Sequence, residues 1–234
     1  MFLGKFKLWF SKYRYTLLLS VMCALFCIFC LIKYDLYIVK DNSMLPTLKN
    51  NDVVITKKVS KSNIPRLTGK IIVFYFPYGR NKSIMELNVS NIYIKRCVGD
   101  PGDTISISNG YISNSKRSDT INIFTQEIDY SLVDINSLSP RSYDVITNNH
   151  NYKCDNIFNM KQIYIPRKGE TILLTEELYY LYKKIIDSEG SYDDLDSCYT
   201  FLNNYYFACG DNILKSIDSR HWGFIPESFI IGYK

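Results

Sequence analysis

The chain begins with its longest uninterrupted apolar stretch. Thr16 to Ile32 runs for 17 residues without a charge, inside the segment YTLLLSVMCALFCIFCLIKY (15–34). That length is near the lower limit for a helix that crosses a bilayer. Beyond it the pattern changes to short runs of β-branched and aromatic residues set between turn signals: Asp52 to Thr56, Lys70 to Phe76, Ile92 to Val98, Thr104 to Ser108, Ile163 to Pro166, Tyr205 to Cys209 and Phe229 to Tyr233. These runs predict strands, so the fold class is mostly β. Ile71 to Phe76, the most apolar of them, is far too short to span a membrane. One helix is predicted near 176–188. Thr175 suits its N-cap, Glu176 and Glu177 suit the positive end of the helix dipole, and Leu178, Leu181, Tyr182 and Ile185 form one i, i+3, i+4, i+7 face that should end near Gly190. Residues 109–160 and 188–203 are polar and rich in Ser, Asn and Asp, as expected of a looser region inserted between two halves of a β core.

Composition agrees with a folded chain of ordinary core size. Hydrophobic residues make up 47% of the 234, aromatics 15%, and there are only 11 Gly and 7 Pro, which excludes disordered, collagenous and small disulfide-stapled classes. The net charge of +5 is concentrated at one end. Lys5, Lys7, Lys12 and Arg14 carry it before residue 16 with no acidic residue among them. The rest of the chain is close to neutral, so no basic face for nucleic acid is expected. Positive charge before an apolar span places the N-terminus in the cytoplasm and residues 35–234 across the membrane, with the lipid bilayer as a partner. A cleaved signal peptide shares the basic start and apolar run. No small-x-small cleavage site closes this one, which runs into Lys33, Tyr34 and Asp35, so a retained anchor is expected.

Three of the seven cysteines, Cys23, Cys27 and Cys30, lie in the apolar span. Cys97, Cys154, Cys198 and Cys209 would meet an oxidising compartment, where a disulfide or buried free thiols are both open, with no pairing given by the sequence. Their spacings match no zinc pattern, and no metal is assigned. The two histidines, His150 in an Asn-rich segment and His221 between Arg220 and Trp222, make a Ser-His-Asp triad hard to assemble, and His221 reads as a packing residue. Ser113 to Lys116 has the SxxK spacing of penicillin-binding enzymes, but lacks the partner motifs and is read as chance.

Two segments carry more chemistry. In Asp41-Asn-Ser-Met-Leu-Pro-Thr-Leu48 a serine precedes a Pro-Thr turn, 11 residues after the last apolar anchor residue. Even fully extended that tether reaches at most about 36 Å, which keeps Ser43 near the membrane. In Tyr93-Ile-Lys-Arg-Cys-Val-Gly-Asp-Pro-Gly-Asp103 a strand runs into a tight turn. Strand alternation puts Tyr93, Lys95 and Cys97 on one face and Arg96 on the other, so a lysine sits between an aromatic ring and a thiol. Taken singly, Ser43 reads as a solvated turn serine and Lys95 as a snorkelling or ion-paired lysine.

Taken together the segments resemble the bacterial type I signal peptidases, membrane-bound serine proteases with a Ser–Lys dyad. SMLPTL (43–48) resembles the nucleophile box, GKIIVF (69–74) the following strand, YIKRCVGDPGDTI (93–105) the lysine box and GDNILKSIDSRHWGFIP (210–226) the C-terminal box, all in family order. IPRKGETILLT (165–175) and YYFACGDN (205–212) look most like the versions of the Bacteroides group of bacteria. The resemblance implies a cytoplasmic basic tail at 1–15, a transmembrane anchor at 16–34, a catalytic β core at 35–108 and 205–234, and an inserted α+β region at 109–204. It implies an enzyme of the bacterial inner membrane, with preproteins bearing small residues at −1 and −3 as substrates and no cofactor.

By the same resemblance Ser43 is the nucleophile, Lys95 the general base, Ser216 the hydroxyl that orients the lysine, and Asp218 and Arg220 a buried pair holding the last box. A neutral lysine can activate a serine without histidine, provided burial lowers its pKa, and Tyr93 is a candidate for that burial. Two positions depart from the pattern. Asp41 stands where some members have a hydroxyl donor to the oxyanion; a carboxylate cannot donate, which leaves the Ser43 N–H and the Asn42 amide as candidates. Lys70 stands where the family more often has aspartate. Three other readings fit the sequence less well. An anchored, inactive β domain that binds exported polypeptides is disfavoured by the presence of Ser43, Lys95 and Ser216. The mitochondrial inner-membrane peptidases tend to lack an insert such as 106–204, and the ER-type relatives have histidine at the position of Lys95.

Overall fold

In the computed structural model, residues 2–60, 64–78, 85–87, 89–116, 158–190 and 197–234 are described. Most of the polar insert, with His150 and Cys154, lies outside the described residues. Helix α1 (Phe2–Lys33) begins well before the apolar span. Its Tyr13–Lys33 portion is 21 residues long with a mean hydropathy of 2.6, long and apolar enough to cross a membrane. At its C-terminal end the Lys58 ammonium donates to the Leu31 carbonyl at 2.9 Å and pairs with Asp35 at 3.1 Å, supplying positive charge where helix carbonyls lack partners.

The chain then goes directly into a strand. Residues 34–38 were expected as a tether, whereas they form β1 (Tyr34–Ile38), paired antiparallel with β2 (Val53–Lys58). The reason the sequence concealed it is that its apolar residues face outward. Leu36 pairs with Ile55 and Ile38 with Val53, and all four are exposed, Leu36 at 68% and Ile55 at 57%. The hairpin therefore presents apolar side chains next to the apolar helix.

The remaining strands are β3 (Ile71–Tyr75), β4 (Ile92–Gly99), β5 (Thr104–Ser108), β6 (Tyr111–Asn114), β7 (Met160–Tyr164), β8 (Thr171–Leu173), β9 (Cys198–Thr200), β10 (Tyr205–Cys209), β11 (Ile225–Pro226) and β12 (Ile230–Tyr233). They make the fold mostly β, as the hydrophobic pattern predicts. The principal sheet has seven strands in the order β1-β2-β12-β3-β4-β10-β11, so the last strand of the chain is inserted between the second and third. A three-stranded sheet, β6-β5-β7, and a two-stranded one, β8-β9, accompany helix α2 (Glu176–Glu189). This helix agrees with its prediction: the Thr175 hydroxyl accepts the Leu178 N–H at 3.3 Å, and Gly190 closes it at a positive φ of 71°, where a side chain would be strained. β7 lies earlier than the expected 163–166, because Pro166 has no N–H; Ile165 still bonds to Asp103 and Gly102 across the neighbouring turn.

Three apolar clusters hold these parts. Val98, Ile105, Ile163, Tyr182, Tyr199 and Phe207 join α2 and the small sheets to the principal one. Ile72, Phe74, Cys97, Ala208 and Trp222 lie on its other side. Val39, Met44, Leu48, Val54 and Ile71 form a third, under the turn that carries Ser43. Cys97 and Cys209 are buried free thiols and Cys198 is an exposed one.

Candidate active site

Ser43 is fixed from both sides of its turn. Met44 and Leu48 are buried in the third cluster, one helical turn apart, with the Leu48 N–H bonded to the Met44 carbonyl at 2.9 Å. Above it, the Asn212 N–H donates to the Ser43 carbonyl and the Asn212 side chain to the Asn42 carbonyl, each at 2.9 Å. The Ser43 side chain is thereby held at the bottom of a groove, and the residue is only 5% exposed.

Lys95 reaches it from β4. Paired with Ile72 across the ladder, it is 2% exposed, and its ammonium donates to Ser43 Oγ at 2.5 Å. Burial is the main influence on its pKa and lowers it; Asp41 and Asp218 act in the opposite direction, and the net shift is downward from the ordinary lysine value. Tyr93, two residues earlier on the same face, sets its ring centroid 5.6 Å from Nζ and stacks on Phe76 at 4.8 Å. Arg96 points away, as alternation requires, and makes a two-point ion pair with Asp211 while donating to the Gly69 carbonyl at 2.9 Å. The alternation of this one strand thus sends a lysine into the site and an arginine to clamp the C-terminal segment beside it.

The last box closes the site. Asp218 is the N-cap of α3 (Ser219–Trp222) and is fully buried. Its carboxylate accepts from Arg220 Nε at 2.8 Å and Nη2 at 2.7 Å, and from the Gly210 N–H at 2.9 Å. Burial alone would raise its pKa, but the Arg220 charge and hydrogen bonds, with those from His221, outweigh it and hold the carboxyl well below the usual range. His221 accepts the Asp218 N–H at 3.1 Å, which makes it part of the helix cap. Gly210 has a different constraint. A Cβ on it would fall 2.1 Å from Ser216 Oγ and 2.5 Å from the Ser43 carbonyl, so only glycine lets these two segments meet.

The comparisons with known proteins concern this same arrangement of segments. Residues 12–234 match the family described as signal peptidase, peptidase S26. The chain belongs to that family. It is 26% identical over 212 residues to signal peptidase I of Buchnera aphidicola subsp. Baizongia pistaciae (strain Bp), covering 83% of this chain and 66% of that one. Against signal peptidase I of Buchnera aphidicola subsp. Schizaphis graminum (strain Sg) the identity is 27% over 220 residues, 85% of this chain and 66% of that protein. Signal peptidase I of Aquifex aeolicus (strain VF5) is 26% identical over 210 residues, 84% of this chain and 72% of that one. The chain spans 66% of the length of the two Buchnera relatives, just under two thirds.

Within the family arrangement, Ser216, Ser43 and Asn42 lie as follows. Ser216 is buried, and among the described residues its hydroxyl has no hydrogen-bond partner; Nζ of Lys95 is turned to Ser43, and Ser216 packs against Gly210. The Ser43 N–H, a candidate oxyanion donor, is bonded to Asp41 Oδ1 at 2.9 Å. Asn42 is exposed, and it is its carbonyl that is engaged, by Asn212. Asp211, Asn212 and Gly210 went unnamed as site residues in the sequence. The signal was present in the Gly-Asp-Asn turn directly after an apolar strand, a sequence that is ordinary until its partners are known.

Proposed function

We propose that this protein is a membrane-anchored serine endopeptidase that cleaves N-terminal signal peptides from exported preproteins, with Ser43 as nucleophile and Lys95 as general base. The hydrogen bond between the Ser43 hydroxyl and a buried lysine of lowered pKa carries the reading. With Lys95 neutral, the same contact runs in the other direction and the hydroxyl donates to the amine. Ser43 Oγ then attacks the scissile carbonyl carbon while Lys95 takes the proton. The ammonium so formed returns that proton to the leaving amine, and an acyl ester remains on Ser43. Water, deprotonated by Lys95, cleaves the ester and restores the hydroxyl.

A groove of about 620 Å³ beside the dyad supports an extended substrate. Residues 36–41 line one wall and 90–95 the other. β1 is an edge of the principal sheet, and among the described residues β10 pairs with β4 only from Arg96 onward, so Ile92 to Lys95 keep a free ladder edge. A peptide entering as a strand would find main-chain partners on both walls. A preference for preproteins with small residues at −1 and −3 is part of the same proposal.

The same reading places the basic tail 1–15 in the cytoplasm, the anchor 16–34 in the bacterial inner membrane, and the catalytic β core 35–108 and 205–234, with its insert 109–204, beyond it. The outward apolar face of the β1–β2 hairpin, continuous with the anchor, supports a site held at the bilayer surface. The resemblance of segments 165–175 and 205–212 to the Bacteroides-group versions belongs to the same proposal. The test is cleavage of a purified preprotein by the detergent-solubilised protein, with sequencing of the new N-terminus. Cleavage after a small-x-small motif is expected, and undiminished cleavage by Lys95→Ala refutes the reading.

A further inference from the structure

Among the described residues Asp41 is the one acidic side chain lining the groove beside the dyad, and the mechanism just described does not use it. Its Oδ1 accepts the Ser43 N–H at 2.9 Å. That N–H belongs to the nucleophile itself and adjoins the carbonyl under attack, where a developing oxyanion needs a donor. A carboxylate in that position both removes the donor and sets a negative charge where negative charge must develop. Asp41 is nevertheless exposed, on a turn with the groove in front of it, and has room to leave.

We propose that Asp41 is a latch on the nucleophile: in the free protein its carboxylate caps the Ser43 N–H, and the scissile carbonyl of the substrate displaces it, freeing that donor for the oxyanion. The inference rests on the peptidase reading above. Asp41 is a positioning residue here, acting through Ser43.

The latch also bears on the base. Around Lys95 stand Asp41 from the Ser43 turn, Asp218 and Arg220 from the α3 cap, Cys209 from β10 and Tyr93 from its own strand. Of these, the Asp41 charge raises the lysine pKa against the lowering effect of burial. Asp41 in turn faces Ser43, Lys95 and Tyr93. Burial would raise its own pKa, but the Ser43 hydrogen bonds and the Lys95 charge leave it below the ordinary carboxylate value, so it is ionised at working pH. When substrate displaces the carboxylate, Lys95 loses a counter-charge at the moment it must become neutral. Opening the donor and activating the base are one event.

The experiment compares wild type with Asp41→Ala and Asp41→Asn, with Ser43→Ala as the blank. In Asp41→Ala, kcat/KM for a preprotein should rise roughly 10-fold, the worth of a charge-assisted hydrogen bond that substrate no longer has to break. The acidic limb of the kcat/KM profile, which reports the free enzyme, should move to lower pH. Asp41→Asn keeps an oxygen that can accept the N–H, so it should show the same movement of the limb with a smaller gain in rate. Amide hydrogen exchange at Ser43 reads the latch without catalysis: protection in wild type should be lost in Asp41→Ala. Unchanged or reduced kcat/KM with an unmoved limb, or equal exchange at Ser43, overturns the proposal. If Asp41→Ala does not fold, the limb in Asp41→Asn decides. Cleavage by Ser43→Ala equal to wild type would instead refute the peptidase reading, and the exchange measurement would still decide the latch.

Discussion

The seven-stranded sheet and the α2 region bury polar groups on opposite terms. At the C-terminal end of α2 lies a polar centre, Glu189, whose carboxylate accepts from the Tyr199 and Tyr205 hydroxyls, the Leu202 N–H and the Asn203 side chain. The surrounding cluster is apolar. Beside Ser43 the principal sheet instead buries Lys95 next to a hydroxyl, with the Ser216 hydroxyl unpaired. A buried ammonium without a carboxylate in contact costs stability and gains reactivity. The comparison teaches that one part of the molecule supplies packing that the other part consumes.

The largest expected effect breaks the reactive side alone. Ser43→Ala, Lys95→Ala and Lys95→Arg should each lower turnover by about 10⁴-fold or more, since the two groups act as a unit and guanidinium stays protonated. Lys95→Ala, which removes the buried amine, should melt at or above the wild-type temperature, and a fall of many degrees would contradict a stability cost for burying Lys95.

Asp218→Asn attacks a buried ion pair near the dyad. It leaves Arg220, itself 1% exposed, without its counter-ion, which should cost about 3–5 kcal/mol of stability. Because the folded carboxyl titrates well below its unfolded value, its contribution is present above the ordinary carboxylate pKa and is lost as pH falls through the acid range. Wild type should therefore melt at progressively lower temperature on acidification, and Asp218→Asn should show a flatter dependence.

Glu189→Ala removes the corresponding centre on the other side. It removes the acceptor of the Tyr199 and Tyr205 hydroxyls, on residues that are nearly inaccessible, and should cost about 1–3 kcal/mol. Turnover per folded molecule should stay at the wild-type value; a specific loss of activity would show that the two regions are not separable. The smallest effect is expected of Ser216→Ala. Removing an unpaired buried hydroxyl should leave the melting temperature unchanged or higher, while turnover falls about 10-fold if that hydroxyl helps direct the lysine in the substrate complex. Equal turnover removes Ser216 from the chemistry.

A pH profile sharpens the same contrast. Burial lowers the Lys95 pKa, so the rate should rise with pH as the amine deprotonates, at a pH below that of an ordinary lysine. A rising limb at the pH of a free lysine would mean that the sheet does not desolvate it.

Much of this was legible in the sequence wherever one strand or helix settles the matter. β4 is an example: alternation alone put Tyr93, Lys95 and Cys97 together and sent Arg96 away. The helix at 176–189 was marked by Thr175, Glu176 and Gly190. β1 was not legible, because its apolar residues point outward and imitate a linker. Nor was the engagement of Asp41, since a short carboxylate two residues before an N–H has local geometry that no pattern of hydrophobicity records.

The sequence by itself determined the apolar span, the mostly β class and the four segments that make the family recognisable, since each depends on neighbours along the chain. Only the tertiary structure decided what lies between Ser43, Lys95 and the last box, which are separated by 52 and more than 100 residues. The strand order that inserts β12 beside β2 and β3, and the glycine that lets Ser216 approach the Ser43 turn, bring them together. Desolvation depends on what surrounds a group in space, so the state of Lys95 and the partner of the Ser43 N–H belong to the packed molecule and to no segment of it.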